Sequence, residues 1–377
     1  MEQFNLCIVK PNKETVSETF VREHIERLPG NKKVLYGGVF PVYDDKGKYL
    51  IRSPFGILSY LIQKKIFKRT DIKVRTHALA KYLTQNKIDV VFAEYGMVGA
   101  SIAEACEMAN VPLVIHYHGA DVHHTETIKR YHGLYQKAFA YASALIAVSG
   151  DMGKALVALG APAEKITVAS CGVNPDAFPK LDISKTAAAF LSVGRFVEKK
   201  SPQSVVQAFK LVHDEFSDAT LNMVGVGPLF DETKALVSQL GLTNSVRLLG
   251  AQNQAQIKNL LKESRCFVQH SVTAKDGDKE GTPVTILEAG SSGLAIVSTL
   301  HTGIKEAVVN GQTGYLVPEY DIEGMAHYMK MIAADVNLAV ELGEKEATYI
   351  RENYDIQSRI KTITKLLEQA IANKKHD

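Results

Sequence analysis

Residues 279–293 read KEGTPVTILEAGSSG, and in this stretch two carboxylates, Glu280 and Glu288, flank a short apolar run. Thr282 can cap a helix, and Pro283 suits the first helical turn, where its missing N–H would have no partner anyway. A helix is therefore predicted to start here, and its free N–H groups favour a phosphate or diphosphate. Glu280 precedes this helix and Glu288 lies about one and a half turns inside it, so the two acceptor groups could hold hydroxyl pairs of a sugar and a ribose. The alternative is a helix-start carboxylate and a solvated helical glutamate.

Short β-branched runs alternate with longer helix-patterned segments on both sides of this stretch. The runs are NLCIV, KVLYGGV, DVVFAEYG, PLVIHYHG and ALIAVS, followed by FLSVGR, LNMVG, SVRLLG, RCFVQH and AIVST. This alternation predicts an α/β protein with parallel sheets covered by helices on both faces. The segment NPDAFPKLDISKTA contains two prolines and is typical of a linker. We therefore predict two doubly wound, Rossmann-like domains, residues 1–183 and 184–354.

The composition narrows the class of protein. A chain of 377 residues exceeds one ordinary domain, and a net charge of +3 does not indicate a nucleic-acid-binding protein. The four cysteines lack CxxC or metal-ligand spacing, which favours buried thiols in a reducing compartment. The N-terminal apolar run predicts a first strand, because it is too short for the core of a signal peptide. The cysteine pattern therefore predicts a cytoplasmic protein, and since no run approaches the roughly 18 apolar residues of a membrane span, any membrane contact would have to be peripheral.

Polar and charged residues follow several of the predicted strands, where two doubly wound domains facing a central cleft would bind a ligand. These residues are His118, Asp121, Arg195, Lys200, Gly225, Gly227 and Glu280. The cations Arg195 and Lys200 could neutralise a diphosphate and stabilise the charge that develops as it departs. The alternative for these cations is a solvated loop, and for His118 a structural role.

Together these segments resemble the family 4 retaining glycosyltransferases, which have the GT-B fold. The hallmark of that family is a glutamate, seven residues and a second glutamate, here Glu280 to Glu288. The other matching segments follow in the same order: HGAD, VGRFVEKKSP, MVGVGPLFDE, VRLLGAQN and HTGIKEAVVNGQTGYLVPEYD. The resemblance covers most of the chain. It implies an N-terminal acceptor-binding domain and a C-terminal donor-binding domain, with a last helix at about 355–377 packing back on the first.

The resemblance also implies a role for each site residue. Arg195 and Lys200 would bind the donor diphosphate, Glu288 the nucleotide ribose, Glu280 the hydroxyls of the donor sugar, and His118 that sugar from the opposite domain. The implied catalytic residues are His118, Glu280, Arg195 and Lys200. The remaining donor-binding residues are Gly225 and the helix start at Gly281, Thr282, Pro283 and Val284.

One loop departs from the family pattern. Many relatives carry a Gly-Gly pair after the first strand, whereas this loop reads KPNKETVSETF. Its donor contacts therefore stay unassigned, and Ser17, Glu18 and Asp121 are a hypothesis for acceptor binding. The loop SVTAKDGDKEG is longer than the common form, and this variant resembles a subgroup that builds exopolysaccharides or lipid-linked cell-surface glycans.

The expected reaction moves a hexose-type sugar from a nucleotide-diphosphate sugar to a saccharide or lipid-linked saccharide acceptor, with retention at the anomeric carbon. No cofactor or metal is expected, because a helix end and two cations already act on the diphosphate. The sequence DGD at 276–278 matches the Asp-x-Asp metal motif of another glycosyltransferase fold, but so short a match in a polar loop is weak evidence. The alternatives are a nucleotide-sugar epimerase and a non-catalytic nucleotide-sugar-binding protein.

GVGPLF resembles the start of a dinucleotide fingerprint, but it lacks the third glycine and the acidic residue that would hold the ribose, which disfavours a dehydrogenase.

Residues 57–69, ILSYLIQKKIFKR, could form a basic amphipathic helix. Leu58, Leu61, Ile62 and Ile66 fall on one predicted face, and the basic residues are Lys64, Lys65, Lys68 and Arg69. Such a helix could make peripheral contact with an anionic membrane. The alternative is an ordinary helix that packs its apolar face on the N-terminal domain.

Overall fold

The structure is a computed structural model, and it describes residues 4–13, 19–67 and 72–374. The chain divides into two compact units, residues 1–169 with 360–377 and residues 170–359. Each unit is built on one six-stranded parallel sheet. The ten predicted strand runs all form strands, and the α/β class of the prediction is confirmed.

The first unit contains strands β1 to β6 in the spatial order β2-β1-β3-β4-β5-β6. Their bounds are Asn5–Val9, Asn31–Leu35, Val90–Glu94, Leu113–Tyr117, Ala144–Ala147 and Ile166–Val168. Helices α1 to α7 span Thr19–Arg27, Pro54–Lys65, Lys73–Gln85, Gly96–Met108, Gly119–His123, Thr125–Tyr141 and Gly150–Ala158. The three strands β3, β4 and β5 are buried along their whole length, as expected for a parallel sheet with helices on both faces.

The second unit contains strands β7 to β12 in the spatial order β12-β11-β10-β7-β8-β9. Their bounds are Ala189–Val193, Thr220–Val224, Val246–Leu248, Cys266–Val268, Ala295–Thr299 and Tyr315–Val317. Helices α8 to α14 span Pro202–His213, Phe230–Gln239, Gln254–Glu263, Val284–Ser291, Ile304–Ala307, Ile322–Ala334 and Val336–Asn353. The last helix, α15, spans Ile356–Lys374.

The division between the units lies at residues 169 and 170, ahead of the boundary predicted near 183. The intervening segment belongs to the second unit because its apolar side chains Val173, Phe178 and Ile183 join the hydrophobic core there. The hydroxyl of Ser291 also donates a hydrogen bond to the carbonyl of Phe178. The chain returns to the first unit at residue 360, within α15.

All four cysteines are free and buried. Burial raises the pKa of the Cys7 thiol, so this group stays a neutral thiol at physiological pH. No described helix is long and apolar enough to cross a membrane.

Candidate active site

The loops that follow β7 and β8 touch each other through their backbones. Gly225 has a φ of +141°, and a Cβ atom there would lie 1.9 Å from the carbonyl oxygen of Gly194. Gly227, with a φ of +158°, approaches Phe196, where a Cβ atom would be 2.4 Å from the carbonyl oxygen. Glycine is therefore required at Gly225 for close packing of the two loops, whether or not it also contacts a ligand.

The two predicted diphosphate-binding cations differ in environment. Arg195 is exposed, whereas the Lys200 side chain is only 16% exposed. Both line the same small depression at the end of β7, together with Gln269. Lys200 reaches into the unit and forms an ion pair with the carboxylate of Glu280. The structure thus brings together Lys200 and Glu280, two residues 80 positions apart that the sequence predicted for the same site.

Both charges of this ion pair persist despite burial. Burial is the largest single influence on Glu280 and opposes its ionisation, but the charges of Lys200 and Lys199 and the hydrogen bond from Lys200 together outweigh it and hold the pKa of this carboxyl below its usual value. Burial lowers the pKa of Lys200, and Glu280 counteracts part of that shift. The pair places a positive and a negative group side by side at the start of the loop into α11 (Val284–Ser291).

The helix α11 begins at Val284, four residues after Glu280. The predicted capping role of Thr282 is wrong: Pro283 holds the N-cap position without a side-chain bond, and the Thr282 hydroxyl instead accepts from the amide of Cys171 at 3.2 Å. The helix still presents its N-terminus directly after Gly281 to Pro283, as predicted. Glu288 lies in the second turn and is buried.

The DGD sequence is part of a loop between β10 and α11 that is held by an ion pair and hydrogen bonds. The ammonium of Lys199 lies 3.0 Å from the carboxylate of Asp278 and also donates to the carbonyl of Lys279 at 3.2 Å. Asp276 accepts from the amide of Asp278 at 2.9 Å. These contacts give both carboxylates of the motif a role in shaping the loop that ends at Glu280.

Sequence reasoning missed two residues that contact this end of the loop and a third that contacts one of them. The amide of Glu280 donates to Nε2 of His301 at 3.2 Å, and the hydroxyl of Thr302 donates to the carbonyl of Glu280 at 2.5 Å. Nδ1 of His301 lies 2.6 Å from Oε1 of Glu319. These residues come after β11 and β12, and the quoted segment HTGIKEAVVNGQTGYLVPEYD, used only for the resemblance, contains all of them.

In the first unit, His118 lies at the end of β4 beside a fully buried carboxylate. Its Nε2 atom is 3.2 Å from Oε2 of Glu94. The same carboxylate lies 2.6 Å from Nδ1 of His24 and 3.3 Å from Nδ1 of His116. Burial is the largest influence on Glu94 and opposes its charge, yet these imidazoles hold the pKa of Glu94 well below its usual value. Glu94 and His24 were also missed from the sequence.

Among the described residues, His24, Glu94 and His116 form a group compact enough to hold a metal ion, with ligand atoms within 4.8 Å of one another. The His24–Glu94 distance of 2.6 Å is that of a hydrogen bond. Two ligands of one tetrahedral zinc ion are about 3.3 Å apart, given metal–ligand distances of about 2.0 Å. The group therefore has the geometry of a hydrogen-bonded cluster that fixes the ring of His118.

Asp121, one residue of the acceptor hypothesis, is fully buried. Its carboxylate accepts from the backbone amide of His118 at 2.8 Å and so closes the turn at the start of α5. Burial raises the pKa of Asp121 to about 6. Ser17 and Glu18, the other residues of the acceptor hypothesis, lie outside the described residues.

The predicted apolar face of α2 (Pro54–Lys65) does not form one buried stripe. Leu61 packs on a small core that includes Tyr60, whereas Leu58 is 56% exposed and Ile66 is 69% exposed. Phe55 and Phe67 are also exposed, at 84% and 66%. The exposed apolar residues therefore lie at both ends of a helix that carries Lys64 and Lys65, while Lys68 and Arg69 lie outside the described residues.

Both halves of the chain match known protein families. Residues 58–177 match the family described as Glycosyltransferase Family 4, and residues 173–354 match Glycosyl transferases group 1. The chain is 32% identical over 242 residues to the amylovoran biosynthesis glycosyltransferase AmsK of Erwinia amylovora, a match that covers 63% of this chain and 60% of AmsK. It is 27% identical to a UDP-Gal:alpha-D-GlcNAc-diphosphoundecaprenol alpha-1,3-galactosyltransferase of Escherichia coli, over 79% of each chain. The chain thus spans less than two thirds of the length of AmsK.

Solved structures share the fold at low sequence identity. HepE of Anabaena, in complex with UDP-glucose, superimposes with a TM-score of 0.76 at 17% identity, over 97% of this chain and 100% of HepE. Sucrose-phosphate synthase of Thermosynechococcus elongatus gives a TM-score of 0.77 at 17% identity, over 98% of this chain and 100% of the other. These likenesses confirm the predicted GT-B fold.

Proposed function

Because both of its halves match glycosyltransferase families, the chain belongs to the GT-B glycosyltransferases, and we propose that it transfers a hexose-type sugar from a nucleotide-diphosphate sugar to a saccharide or lipid-linked saccharide acceptor. The proposed reaction retains the configuration of the anomeric carbon and serves the synthesis of a cell-surface polysaccharide. The main observation behind the proposal is the Lys200–Glu280 ion pair, which brings together the residue predicted to bind the diphosphate and the residue predicted to bind the sugar.

The proposed mechanism is electrostatic. Arg195, Lys200 and the N-terminus of α11 stabilise the departing diphosphate, because fixed positive charges and N–H dipoles are most effective where negative charge develops. A leaving phosphate oxygen accepts the proton of the acceptor hydroxyl on the same face of the sugar. Glu280 binds hydroxyls of the donor sugar, Glu288 binds the ribose, and His118, oriented by Glu94, contacts the donor sugar.

Relatives support the choice of donors and acceptors. HepE binds UDP-glucose, and the galactosyltransferase of Escherichia coli is named for UDP-Gal and an acceptor linked to diphosphoundecaprenol. We therefore propose UDP-linked hexoses as the first donors to test, with GDP-linked hexoses beside them. Acceptors should include free oligosaccharides and polyprenyl-diphosphate-linked sugars.

A nucleotide-release assay over this panel, with and without acceptors, tests the proposed reaction. We expect nucleoside diphosphate release that depends on one acceptor class and falls roughly a hundredfold in Arg195→Ala, which removes one charged contact to the leaving group. Lys137→Ala, a change of an exposed cation in the first unit, is the matched control and should leave the rate unchanged. Donor consumption without a glycosylated product would indicate an epimerase, and binding without turnover would indicate a non-catalytic protein.

We also propose that the reaction needs no divalent metal. Arg195, Lys200 and the start of α11 supply the positive charge that a metal would bring to the diphosphate. Excess chelator should leave the rate unchanged. A rate that falls in chelator and recovers with a divalent ion would contradict this.

Membrane contact at the cytoplasmic face is a further part of the proposal. The exposed side chains Phe55, Leu58, Ile66 and Phe67 could enter the lipid interface. Lys64 and Lys65 belong to the same helix, and Lys68 and Arg69 follow it in the sequence. Each basic residue near an anionic surface contributes about 1 kcal/mol, so replacing these four cations by Gln should lower vesicle affinity by roughly two to three powers of ten.

Co-sedimentation with phosphatidylglycerol-rich vesicles at low salt measures this effect. The matched control replaces four other exposed cations of the first unit by Gln: Lys129, Arg130, Lys137 and Lys154. We expect the control variant to bind as the wild type does. A wild type that stays in the supernatant, or equal losses in both variants, would mean that α2 makes no specific membrane contact.

A further inference from the structure

The main chain of Glu280 is held from both sides by two consecutive residues of another loop. His301 and Thr302 follow β11 and are buried. His301 accepts from the Glu280 amide at 3.2 Å, and Thr302 donates to the Glu280 carbonyl at 2.5 Å. The peptide groups on either side of the Cα atom are therefore fixed, and so is the direction in which the Glu280 side chain leaves the backbone.

The hydrogen bonds determine the tautomer of His301. Because a backbone N–H can only donate, Nε2 of His301 must accept and carries no proton. The other ring nitrogen, Nδ1, is then the N–H group and donates to Oε1 of Glu319 at 2.6 Å. Burial lowers the pKa of His301, which favours this neutral form even though Glu319 opposes the shift. Glu319 thus selects the tautomer that Glu280 requires.

Glu319 also fixes the opposite end of the same loop. Its Oε2 atom accepts from the amide of Thr273 at 2.9 Å. The loop that carries the DGD sequence starts near Thr273 and ends at Glu280. The carboxylate of Glu319 therefore contacts the beginning of this loop directly and its end through His301. This arrangement holds the backbone of Glu280 in place independently of the ion pair with Lys200.

Thr302 adopts a strained backbone conformation at this contact. Its φ is +29°, in the left-handed region, which costs a β-branched residue on the order of 1–3 kcal/mol. Glycine or asparagine would relieve the strain but would remove the threonine hydroxyl from Glu280. Strained residues that persist in this way cluster at functional sites.

We propose that His301 and Thr302, with Glu319 behind His301, are positioning residues that set Glu280 for recognition of the donor sugar. This inference rests on the proposed function, because it takes Glu280 as the residue that binds the sugar hydroxyls. According to this proposal, the protein prefers the intact nucleotide sugar to the bare nucleoside diphosphate because these three residues, which lie outside the Glu-x7-Glu segment, hold Glu280 by hydrogen bonds.

Two substitutions of His301 separate its two hydrogen bonds. In His301→Gln the amide oxygen can take the place of Nε2 and accept from Glu280, whereas in His301→Asn the shorter amide can only replace Nδ1 and donate to Glu319. Calorimetry should measure binding of the donor from the UDP and GDP panel that binds the wild type most tightly, and of its nucleoside diphosphate. We expect His301→Asn to bind the intact donor about tenfold more weakly, the effect of one lost hydrogen bond, with unchanged affinity for the nucleoside diphosphate.

His301→Gln should stay within about threefold of the wild type for both ligands, which a purely steric role would not produce. If His301→Asn does not fold, Thr302→Val and Thr302→Ser supply the same comparison, because only serine keeps the hydroxyl that donates to Glu280. Equal losses for both ligands, or no loss for either, in His301→Asn or Thr302→Val would overturn the positioning role. A wild type that binds no nucleotide sugar of the panel would instead refute the donor site, and the positioning role with it.

Discussion

Replacing Lys200 by methionine should destabilise the second unit by leaving the carboxylate of Glu280 buried without its cation. The side chains of the pair are 16% and 11% exposed, so water can reach neither charge freely. Methionine keeps the length and apolar contacts of the lysine chain and removes only its charge. The change therefore isolates the electrostatic part of the interaction.

The expected magnitude lies between two limits. Breaking a fully buried ion pair by removing one partner costs about 3–5 kcal/mol, whereas an exposed pair contributes about 0–1 kcal/mol. The slight exposure of both groups places the loss at about 2–3 kcal/mol. For a unit of this size that corresponds to a melting temperature lower by roughly 5–10 °C.

The pH dependence has a defined sign. In the wild type the pKa of Glu280 is lowered, so the stability from its charge is present above the pKa of the unfolded chain and is lost as the pH falls. Without Lys200, burial is opposed only by the weaker influences of Lys199 and His301, so the pKa of Glu280 rises and the variant loses the stability that the charge pair provides at neutral pH. The difference between the two proteins should therefore be largest at neutral pH and small near pH 4.

Thermal unfolding of the full chain, followed by circular dichroism at pH 4.5 and 7.5, measures both effects. Lys200→Met with Glu280→Gln should recover most of the loss, because neither charge of the Lys200–Glu280 pair is then left. Arg195→Met is the matched control, since Arg195 is exposed, and should shift the melting temperature by only about 1 °C. A Lys200→Met protein as stable as the wild type at pH 7.5 would refute the buried ion pair.

Two further substitutions test other parts of the second unit. Gly225→Ala would place its Cβ atom 1.9 Å from the carbonyl oxygen of Gly194 and should abolish stable folding. Gly250 also has a positive φ, of +67°, but nothing lies within 4 Å of its added Cβ atom, so Gly250→Ala should cost only about 1 kcal/mol. The soluble yield and the melting temperature of the two variants test this difference. Burial raises the pKa of Glu346 to about 8, so folding favours its protonated form and wild-type stability should fall as the pH rises from about 4.5 to 8. Glu346→Gln should remove that fall when the melting temperature is measured across this pH range. Parallel curves of melting temperature against pH for the two proteins would contradict this.

The sequence predicted the fold well because its strands are short, apolar and separated by helices. The runs NLCIV and DVVFAEYG became β1 and the buried β3, since a strand covered on both faces needs a continuous apolar run. Strands β6 (Ile166–Val168) and β12 (Tyr315–Val317) were not predicted. Both are three residues long and lie at the edge of a sheet, where one side of the strand has no neighbour and the pattern is weak.

The domain boundary was displaced for a related reason. Two prolines and several polar residues between Asn174 and Ala187 are typical of a linker, but Val173, Phe178 and Ile183 bury their side chains in the second unit. Composition averages over a segment, while burial depends on a few spaced apolar residues. The segment is thus a packed extension of the second unit.

The candidate site shows a sharper limit of sequence reasoning. Residues of one short segment, such as Glu280 and Glu288, can be related through helix geometry. The approach of Lys200 to Glu280 could be anticipated only through the family resemblance, and the bonds from His301 and Glu94 were not anticipated at all. Those contacts join the ends of different strands, and the order of strands in a sheet is what brings them together.

The ion pair also bears on how the proposed donor would be selected. In the proposed complex Lys200 exchanges the carboxylate of Glu280 for phosphate oxygens, which leaves that carboxylate buried without its cation. A bare nucleoside diphosphate offers Glu280 no replacement partner, whereas the intact donor offers sugar hydroxyls that can donate to it. An unsatisfied buried charge costs several kcal/mol. The ion pair of the ligand-free protein would therefore weaken binding of the nucleoside diphosphate product relative to binding of the nucleotide-sugar substrate. That selection requires Glu280 to stay in place when Lys200 departs, which is the task that the bonds from His301 and Thr302 to its backbone would perform.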